Sequence, residues 1–497
     1  VSKNDDGGFG GKKCLLPPKL HRRMTSPHHW IAAHATHDPD RPAILHPRLS
    51  LTYAELDAAI RRQAAALAAR GIGRGDRVAF LGQNDPAQLV LLFACARLGA
   101  MLLPLNWRLA PPELDYMLRD SGAALLMVMP DCAALAEGLA VARIEPDAAA
   151  ADEAPDTGLP EDPLLLVYTS GTTGRPKGAV LDQRALFFNA LNALHLFGLT
   201  GEDRVLTVLP LFHVGGLNIQ TVPALYAGAT VLLQPRFEPE AFFDALAAAR
   251  PSLTLLVPAV MQALAAHPRW AGADLSCLRA VGAGSSDIPP ALIAAFHARG
   301  LPVQQIYGAT ETCPIAIGQT RAEALRAPGS IGRPALHARA QVVDADGTPL
   351  PPGATGEIAI AGPAILRRYW GQPETGDWFR TGDVGHVDAE GRWWFTDRIK
   401  HVIISGGENI YPAELERILL DAPGILEGAI AGRADDRWGE IPVAVVVPGP
   451  GYDPAALLAH FDGRIARFKR PRDVVTVARL PRTALGKVAT GELKRLV

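Results

Sequence analysis

A chain of 497 residues is too long for one hydrophobic core and suggests roughly three or four packing units. Its 48% hydrophobic and 20% charged content is that of a folded globular protein, not a disordered one. A net charge of −2, from 49 Lys and Arg against 51 Asp and Glu, points to neither nucleic acid nor an anionic membrane as partner.

Residues 1–23, "VSKNDDGGFGGKKCLLPPKLHRR", lack the apolar core of a signal peptide and read as a tag or a disordered arm; ordinary sequence opens at Met24. "TYAELDAAIRRQAAALAARG" reads as an amphipathic helix ending at Gly71, and "RVAFLG" as a strand. The apolar stretch Leu89 to Leu105 is broken by Arg97 and Gly99, so it reads as a buried helix followed by a strand, and no integral membrane segment is expected. "LLLVYT", "RVLTVLP", "ATVLLQ", "LTLLVP", "LRAVGAG" and "VQQIYGA" are short strands with helical segments between them. This is the pattern of β-α units and parallel sheets, which bind ligands at the carboxyl ends of strands. From about Gln341 the sequence turns β-rich, with Asp-Gly and Pro-Pro-Gly turns that predict hairpins. From Lys400 onward a smaller α+β unit follows, including a helix over "PAALLAHFDGRIARF". The expected fold is therefore α/β. A large N-terminal domain (24–399) would combine parallel-sheet subdomains with a β-barrel-like subdomain at about 335–396, and a small α+β domain would span 400–497.

Five cysteines, Cys14, Cys95, Cys132, Cys277 and Cys313, are odd in number and form no CxxC pair. A disulfide framework or zinc site is disfavoured, and a reducing cytoplasm is the natural compartment.

The chemistry starts with "YTSGTTGRPKG" (168–178), which is rich in Gly, Ser and Thr but fails the pattern G-x-x-x-x-G-K-[ST]. Backbone N–H groups from Ser170 through Gly171 to Gly174, with the hydroxyls of Thr169, Ser170, Thr172 and Thr173, can surround phosphate oxygens, and Lys177 adds a mobile charge. "YGATE" (307–311) ends a strand with a hydroxyl and a carboxylate, a pair able to hold Mg²⁺ beside a phosphate. "TGD" (381–383) sets a carboxylate behind a tight turn, suited to a ribose diol. "DRIKHVIISGGENIYPAELE" (397–416) joins the two expected domains, and "PRTALGKVATGELK" (481–494) carries a lone Lys487.

These five segments, in this order, resemble the AMP-forming acyl-CoA synthetase family, whose wider superfamily includes peptide-synthetase adenylation domains and firefly luciferases. The resemblance implies ATP, Mg²⁺ and CoA as cofactor and co-substrates and a small-molecule carboxylic acid as substrate. The loop residues and Lys177 would hold the β- and γ-phosphates. Tyr307 and Gly308 would lie by the adenine, Thr310 by the α-phosphate, and Glu311 on the metal. Asp383 and Arg398 would take the ribose, and Lys400 matches the hinge. Lys487 would bridge the substrate carboxylate and the α-phosphate, and Gly406 and Gly407 would line the pantetheine path once the small, mobile domain has rotated. His213, in "LPLFHVGGLN", matches a residue at the acyl-site entrance, although a His beside apolar residues is more often a packed one. Glu408 and Tyr411 would cap or orient the next helix, and "RFKRPR" (467–472) reads as a solvated basic face.

The chain departs from the family pattern at "GAGSS" (282–286), Arg368 and Thr490, and the first of these bears on the acyl-pocket floor. "VGGLNIQ" (214–220), "VGAGSS" (281–286) and "ATETCPIA" (309–316) bring no Arg or Lys to that pocket. An apolar monocarboxylate, either a fatty acid or a hydroxycinnamate-like aryl acid, is expected over a dicarboxylate. The rival reading is an adenylating enzyme that loads a separate carrier protein; a homodimer is only the generic expectation.

Overall fold

The computed structural model describes residues 26–146, 148, 155–169, 176–284, 288–405, 408–435, 438–465, 467–482 and 488–497. Residues 1–23, expected as a tag or arm, lie outside them.

Two sheets with parallel centres dominate. The first has nine strands, six of them parallel: Val303–Tyr307, Ala280–Gly284, Leu253–Leu256, Arg204–Thr207, Thr230–Leu233 and Pro42–Leu45. These strands are short and almost wholly buried, as strands covered on both faces are. In the second, Pro163–Thr169, Met101–Leu105, Arg77–Leu81, Leu125–Val128 and Ala142–Ile144 run parallel. One continuous apolar core draws side chains from both sheets. Helix Pro86–Leu98 runs through it, with every residue buried except Arg97, and packs on helix Tyr53–Ala68 and on strands Met101–Leu105 and Pro163–Thr169. The stretch Leu89 to Leu105 is thus a core helix and a core strand, as expected. Among the described residues no helix is long and apolar enough to cross a membrane.

Helix Tyr53–Ala68 starts where T-x-x-E permits a reciprocal cap. Glu55 N donates to Thr52 Oγ1 at 3.2 Å, and Thr52 N donates to Glu55 Oε2 at 2.8 Å. The helix ends near the glycine expected to stop it.

The β-rich segment forms a four-stranded antiparallel sheet: Arg339–Val343, Gly356–Ala361, Phe379–Val387 and Trp393–Arg398. Trp393 packs in the small core beneath it with Ile358 and Ile360, and the Trp394 indole donates to Asp388. Between the second and third of these strands, Arg368–Tyr369 leaves to pair with Lys177–Asp182 of the second parallel sheet. This crossing stitches the β-rich segment to the larger body.

The C-terminal unit is a five-stranded sheet of Glu408–Ile410, Ile403–Ser405, Gly439–Pro448, Ile425–Asp435 and Asp473–Thr476, with helix Pro412–Leu420 on its own apolar core. The helix expected over "PAALLAHFDGRIARF" is shorter, Pro454–His460, because the apolar spacing lapses at Asp462-Gly463. The "RFKRPR" run is more engaged than a solvated face. Lys469 pairs with Glu414, Arg470 with Asp462, and Arg472 lies over Trp438.

Candidate functional site

Residues 170–176 are flanked by strands that differ from the expected β-α connection. Strands Pro163–Thr169 and Lys177–Asp182 are antiparallel neighbours, with Thr169 opposite Lys177. The apolar run after Lys177 is therefore the return strand of a hairpin at the carboxyl end of the sheet's parallel strands. Thr169 Oγ1 reaches Lys177 O at 3.4 Å, and Tyr168 OH donates to Asp120 Oδ2 at 2.5 Å. Ser170, Gly171, Thr172, Thr173 and Gly174 lie outside the described residues.

The return strand also receives Arg368–Tyr369, with Tyr369 opposite Ala179. That register presents the Tyr369 hydroxyl to Glu311, donating to Oε1 at 2.8 Å. Leu366 N donates to the Glu311 carbonyl at 2.8 Å, so the crossing segment grips Glu311 at two points. Lys177 Nζ sits 5.8 Å from the Tyr369 ring centroid. Lys177, Tyr369 and Glu311, from three separate parts of the sequence, thus share one corner. Burial, with Glu311 beside it, pushes the Tyr369 hydroxyl above its ordinary range, so it remains a donor.

Glu311 belongs to the short turn Thr310–Thr312 that follows strand Val303–Tyr307. The approach needs Gly308, since a Cβ there would fall 1.7 Å from Pro314 O. Thr310 is buried. Oxygen donors from Thr310 and from the second Glu311 carboxylate oxygen, which has no hydrogen bond among the described residues, suit a hard divalent cation such as Mg²⁺.

At the other end of this face stands Asp383, 8% exposed, on strand Phe379–Val387. Its Oδ2 accepts from Tyr307 OH at 2.8 Å, and its Oδ1 lies 3.2 Å from Arg398 Nε. Burial and the Asp383 charge raise the Tyr307 hydroxyl well above its usual range, so it too is a fixed donor. Tyr307, Asp383 and Arg398 form one connected group, as three residues expected at the adenosine would.

His213 precedes helical turn Val214–Gly216 and accepts from Gly215 N through Nδ1 at 3.2 Å. The chain continues through a π turn, Leu217–Thr221, into helix Val222–Ala227. Buried asparagines tie this helix to the segment after Glu311. Asn189 donates to Asn218 O at 2.6 Å and accepts from Ile315 N at 3.0 Å, while Asn218 Nδ2 lies 3.6 Å from Cys313 Sγ. Burial pushes the Cys313 thiol far up, which makes it a packing group and not a nucleophile.

Lys400 lies in the turn Ile399–His401 between the β-rich sheet and the C-terminal unit; its side chain, with Gly406, Gly407 and Lys487, lies outside the described residues. Helix Pro412–Leu420 receives a side-chain contact at its first turn from Asp397, a residue not singled out in the sequence. Asp397 Oδ2 accepts from Ala413 N at 2.8 Å, and the Asp397 side chain is 4% exposed. The Glu408 side chain lies outside the described residues.

Sequence reading missed Tyr369, Asp397 and Asn189. Asn189 and Asn192, three apart on the buried face of helix Gln183–Phe197, were a usable signal, because buried amides inside a helix are seldom accidental. Tyr369 carried no such signal, since its role depends on a strand that changes sheets.

Comparison with known proteins places these observations among relatives. The model of the AMP-binding enzyme family matches residues 31–370, and that of the AMP-binding enzyme C-terminal domain matches residues 414–487. An indoleacetate–CoA ligase of Aromatoleum aromaticum is 48% identical, covering 94% of this chain and 97% of its own length. A feruloyl-CoA synthase of Amycolatopsis sp is 43% identical, with 94% and 98% covered. Among solved structures, the o-succinylbenzoate CoA synthetase of Bacillus subtilis with its acyl-adenylate intermediate superposes with a TM-score of 0.86 at 31% identity, covering 94% of this chain and 97% of that one. Its complex with ATP and magnesium gives 0.85 at 30% identity, with 94% and 99% covered.

Proposed function

The chain belongs to the AMP-binding enzyme family, and from that premise we propose that the acid it activates is an aryl-substituted monocarboxylate. The reaction class is that of an AMP-forming acyl-CoA ligase, which joins aryl or fatty acids to CoA at the expense of ATP through an acyl-adenylate. The observation that carries the aryl assignment is the 48% identity, over nearly the whole chain, to a ligase of indoleacetate, supported by the 43% identity to a feruloyl-CoA synthase.

In the first half-reaction a carboxylate oxygen of the acid attacks the α-phosphorus of ATP. The bond to the bridging oxygen breaks, and pyrophosphate leaves with its electron pair. Two anions must meet, so positive charge has to be held where negative charge accumulates. Lys177 and residues 169–174 hold the departing pyrophosphate. Thr310 positions the α-phosphate, and Asp383 with Arg398 fixes the ribose. Glu311, oriented by Tyr369, holds Mg²⁺, which when bound neutralises phosphate charge. Lys487 bridges the acid and the α-phosphate. In the second half-reaction the CoA sulfur attacks the acyl carbon, the carbon–oxygen bond to phosphate breaks, and AMP departs. The thiol proton passes to solvent.

One site serves both steps if the small domain (400–497) turns about Lys400, exchanging Lys487 for Gly406 and Gly407 at the reacting atoms. His213 stands at the mouth of the acyl channel, where its contact with Gly215 sets its ring orientation. A cytoplasmic homodimer is the companion proposal, checked by light scattering.

ATP–pyrophosphate exchange across arylacetates, hydroxycinnamates and fatty acids, repeated with CoA and thioester detection, tests the reading. Exchange and thioester formation are expected with aryl acids first. Exchange restricted to fatty acids overturns the aryl assignment, and adenylate formation with no CoA consumption favours loading of a separate carrier protein.

A further inference from the structure

A buried amide near the acyl-binding segments has no task in the mechanism. Gln220, in the π turn Leu217–Thr221, is 2% exposed, and neither its Oε1 nor its Nε2 has a hydrogen-bond partner among the described residues. It lies beside strand Ala280–Gly284. A Cβ built on Gly282 would come 3.0 Å from Gln220 Nε2, 3.0 Å from Leu255 Cδ1 and 3.1 Å from Phe197 Cε1. A side chain at 282 would crowd the amide, so glycine there gives it room against the strand. Folded proteins seldom retain a buried amide with both ends unmatched unless a ligand or water completes it. The neighbouring hydroxyl is satisfied: Thr221 Oγ1 reaches Gly216 O at 2.7 Å and Thr207 Oγ1 at 2.8 Å. Asn218 uses its amide donor on Cys313, leaving Oδ1 unmatched among the described residues. Insertions of π geometry recur where a helix has been bent to a functional purpose.

Two independent measures place Gln220 at similar depth. Along its own helix it is six residues beyond Val214, hence about 9 Å from the His213 end at about 1.5 Å per residue. On the sheet, Gly282 stands two residues before Gly284, hence about 7 Å short of the strand end at about 3.3 Å per residue. Gly284 pairs with Ile306, which leads directly to Tyr307 and the Thr310–Glu311 turn. An acid whose carboxylate reacts beside that turn would bring to this depth the far edge of an aromatic ring rather than the first carbons of a chain.

We propose that Gln220 is a specificity-determining residue whose amide hydrogen-bonds an N–H or O–H group on the ring of the aryl acid, at the edge remote from the carboxylate. The proposal rests on the aryl-acid activation already proposed and adds to it the substrate's polar ring substituent. An apolar pocket discriminates poorly against an added hydroxyl, whereas a site built to hydrogen-bond one rejects the analogue that lacks it.

The test uses matched acids: indole-3-acetate with 1-naphthylacetate, and 4-hydroxycinnamate with cinnamate. For each pair the ratio of kcat/KM in ATP–pyrophosphate exchange is measured in the wild type and in Gln220→Leu. The wild type should prefer the polar member of at least one pair by about tenfold or more, and Gln220→Leu should bring that ratio near one. A ratio within one enzyme is independent of how much of it is active. Gln220→Met serves if the leucine variant fails to fold. A wild-type ratio near one in both pairs overturns the proposal, as does a variant that keeps the wild-type preference. Absence of exchange with every acid would instead count against the aryl-acid reading itself, so the two failures are distinct.

Discussion

The two walls proposed for the site, one for the nucleotide and one for the acid, handle buried polar groups in opposite ways. On the nucleotide wall each carboxylate is held by a tyrosine of the protein itself: Asp383 by Tyr307 and Glu311 by Tyr369. On the acyl wall Gln220 is buried with no partner among the described residues at either end of its amide. The nucleotide is the same in every turnover, so its receptors can be preset, and presetting lowers the reorganisation needed at the moment of reaction. The acid is what distinguishes one ligase from another. A group that only the right acid can satisfy selects by the cost of leaving it unsatisfied.

Substitutions on the nucleotide wall should therefore lower rates for all acids alike, and those on the acyl wall should change ratios between acids. The largest effect is expected from Lys487→Ala, with adenylation falling by about 10³ or more while CoA thioester formation from a supplied acyl-adenylate remains mostly intact; equal loss of both half-reactions would show that Lys487 does not act in adenylation alone. Glu311→Gln should follow, lowering adenylation by about 10² for every acid tested and weakening its dependence on Mg²⁺ concentration. A smaller loss, below about tenfold in kcat, is expected for Tyr369→Phe, together with a three- to tenfold rise (roughly) in the Mg²⁺ concentration at half-maximal rate, because Glu311 loses its orienting donor. If that concentration is unmoved, Tyr369 is a packing residue. Tyr307→Phe should act most mildly, raising KM for ATP a few-fold and lowering stability by about 1–2 kcal/mol through the lost hydrogen bond to Asp383, as thermal unfolding would register. A change in acid preference in any of these four would blur the division between the walls.

The segments proposed for the nucleotide stood out in the sequence because such chemistry restricts residue types. A ribose diol wants a carboxylate, phosphates want amides and cations, and the segments carrying them interrupt apolar strands conspicuously. The alternation of short apolar runs and helical stretches foretold parallel sheets. The hairpin around residues 170–176 was hidden because "KGAVLD" is as apolar as a strand entering a helix, and only pairing with Pro163–Thr169 decides its direction. The acyl wall was read as apolar because small residues outnumber polar ones there. Whether Gln220 faces a neighbour, solvent or nothing depends on helix phase across a π turn, which periodicity alone does not fix. Asp397 was obscure for a related reason, since its partner lies beyond the turn that joins the two units.

That last contact has a consequence for timing. Asp397 ends the β-rich sheet and Ala413 begins the first helix of the C-terminal unit, so their hydrogen bond spans the turn holding Lys400. Any rotation about that turn which carries the helix away must release the Ala413 amide to water. The amide proton is then a clock for domain orientation, since its exchange with solvent deuterium counts the openings and should quicken if acyl-adenylate turns the unit as proposed.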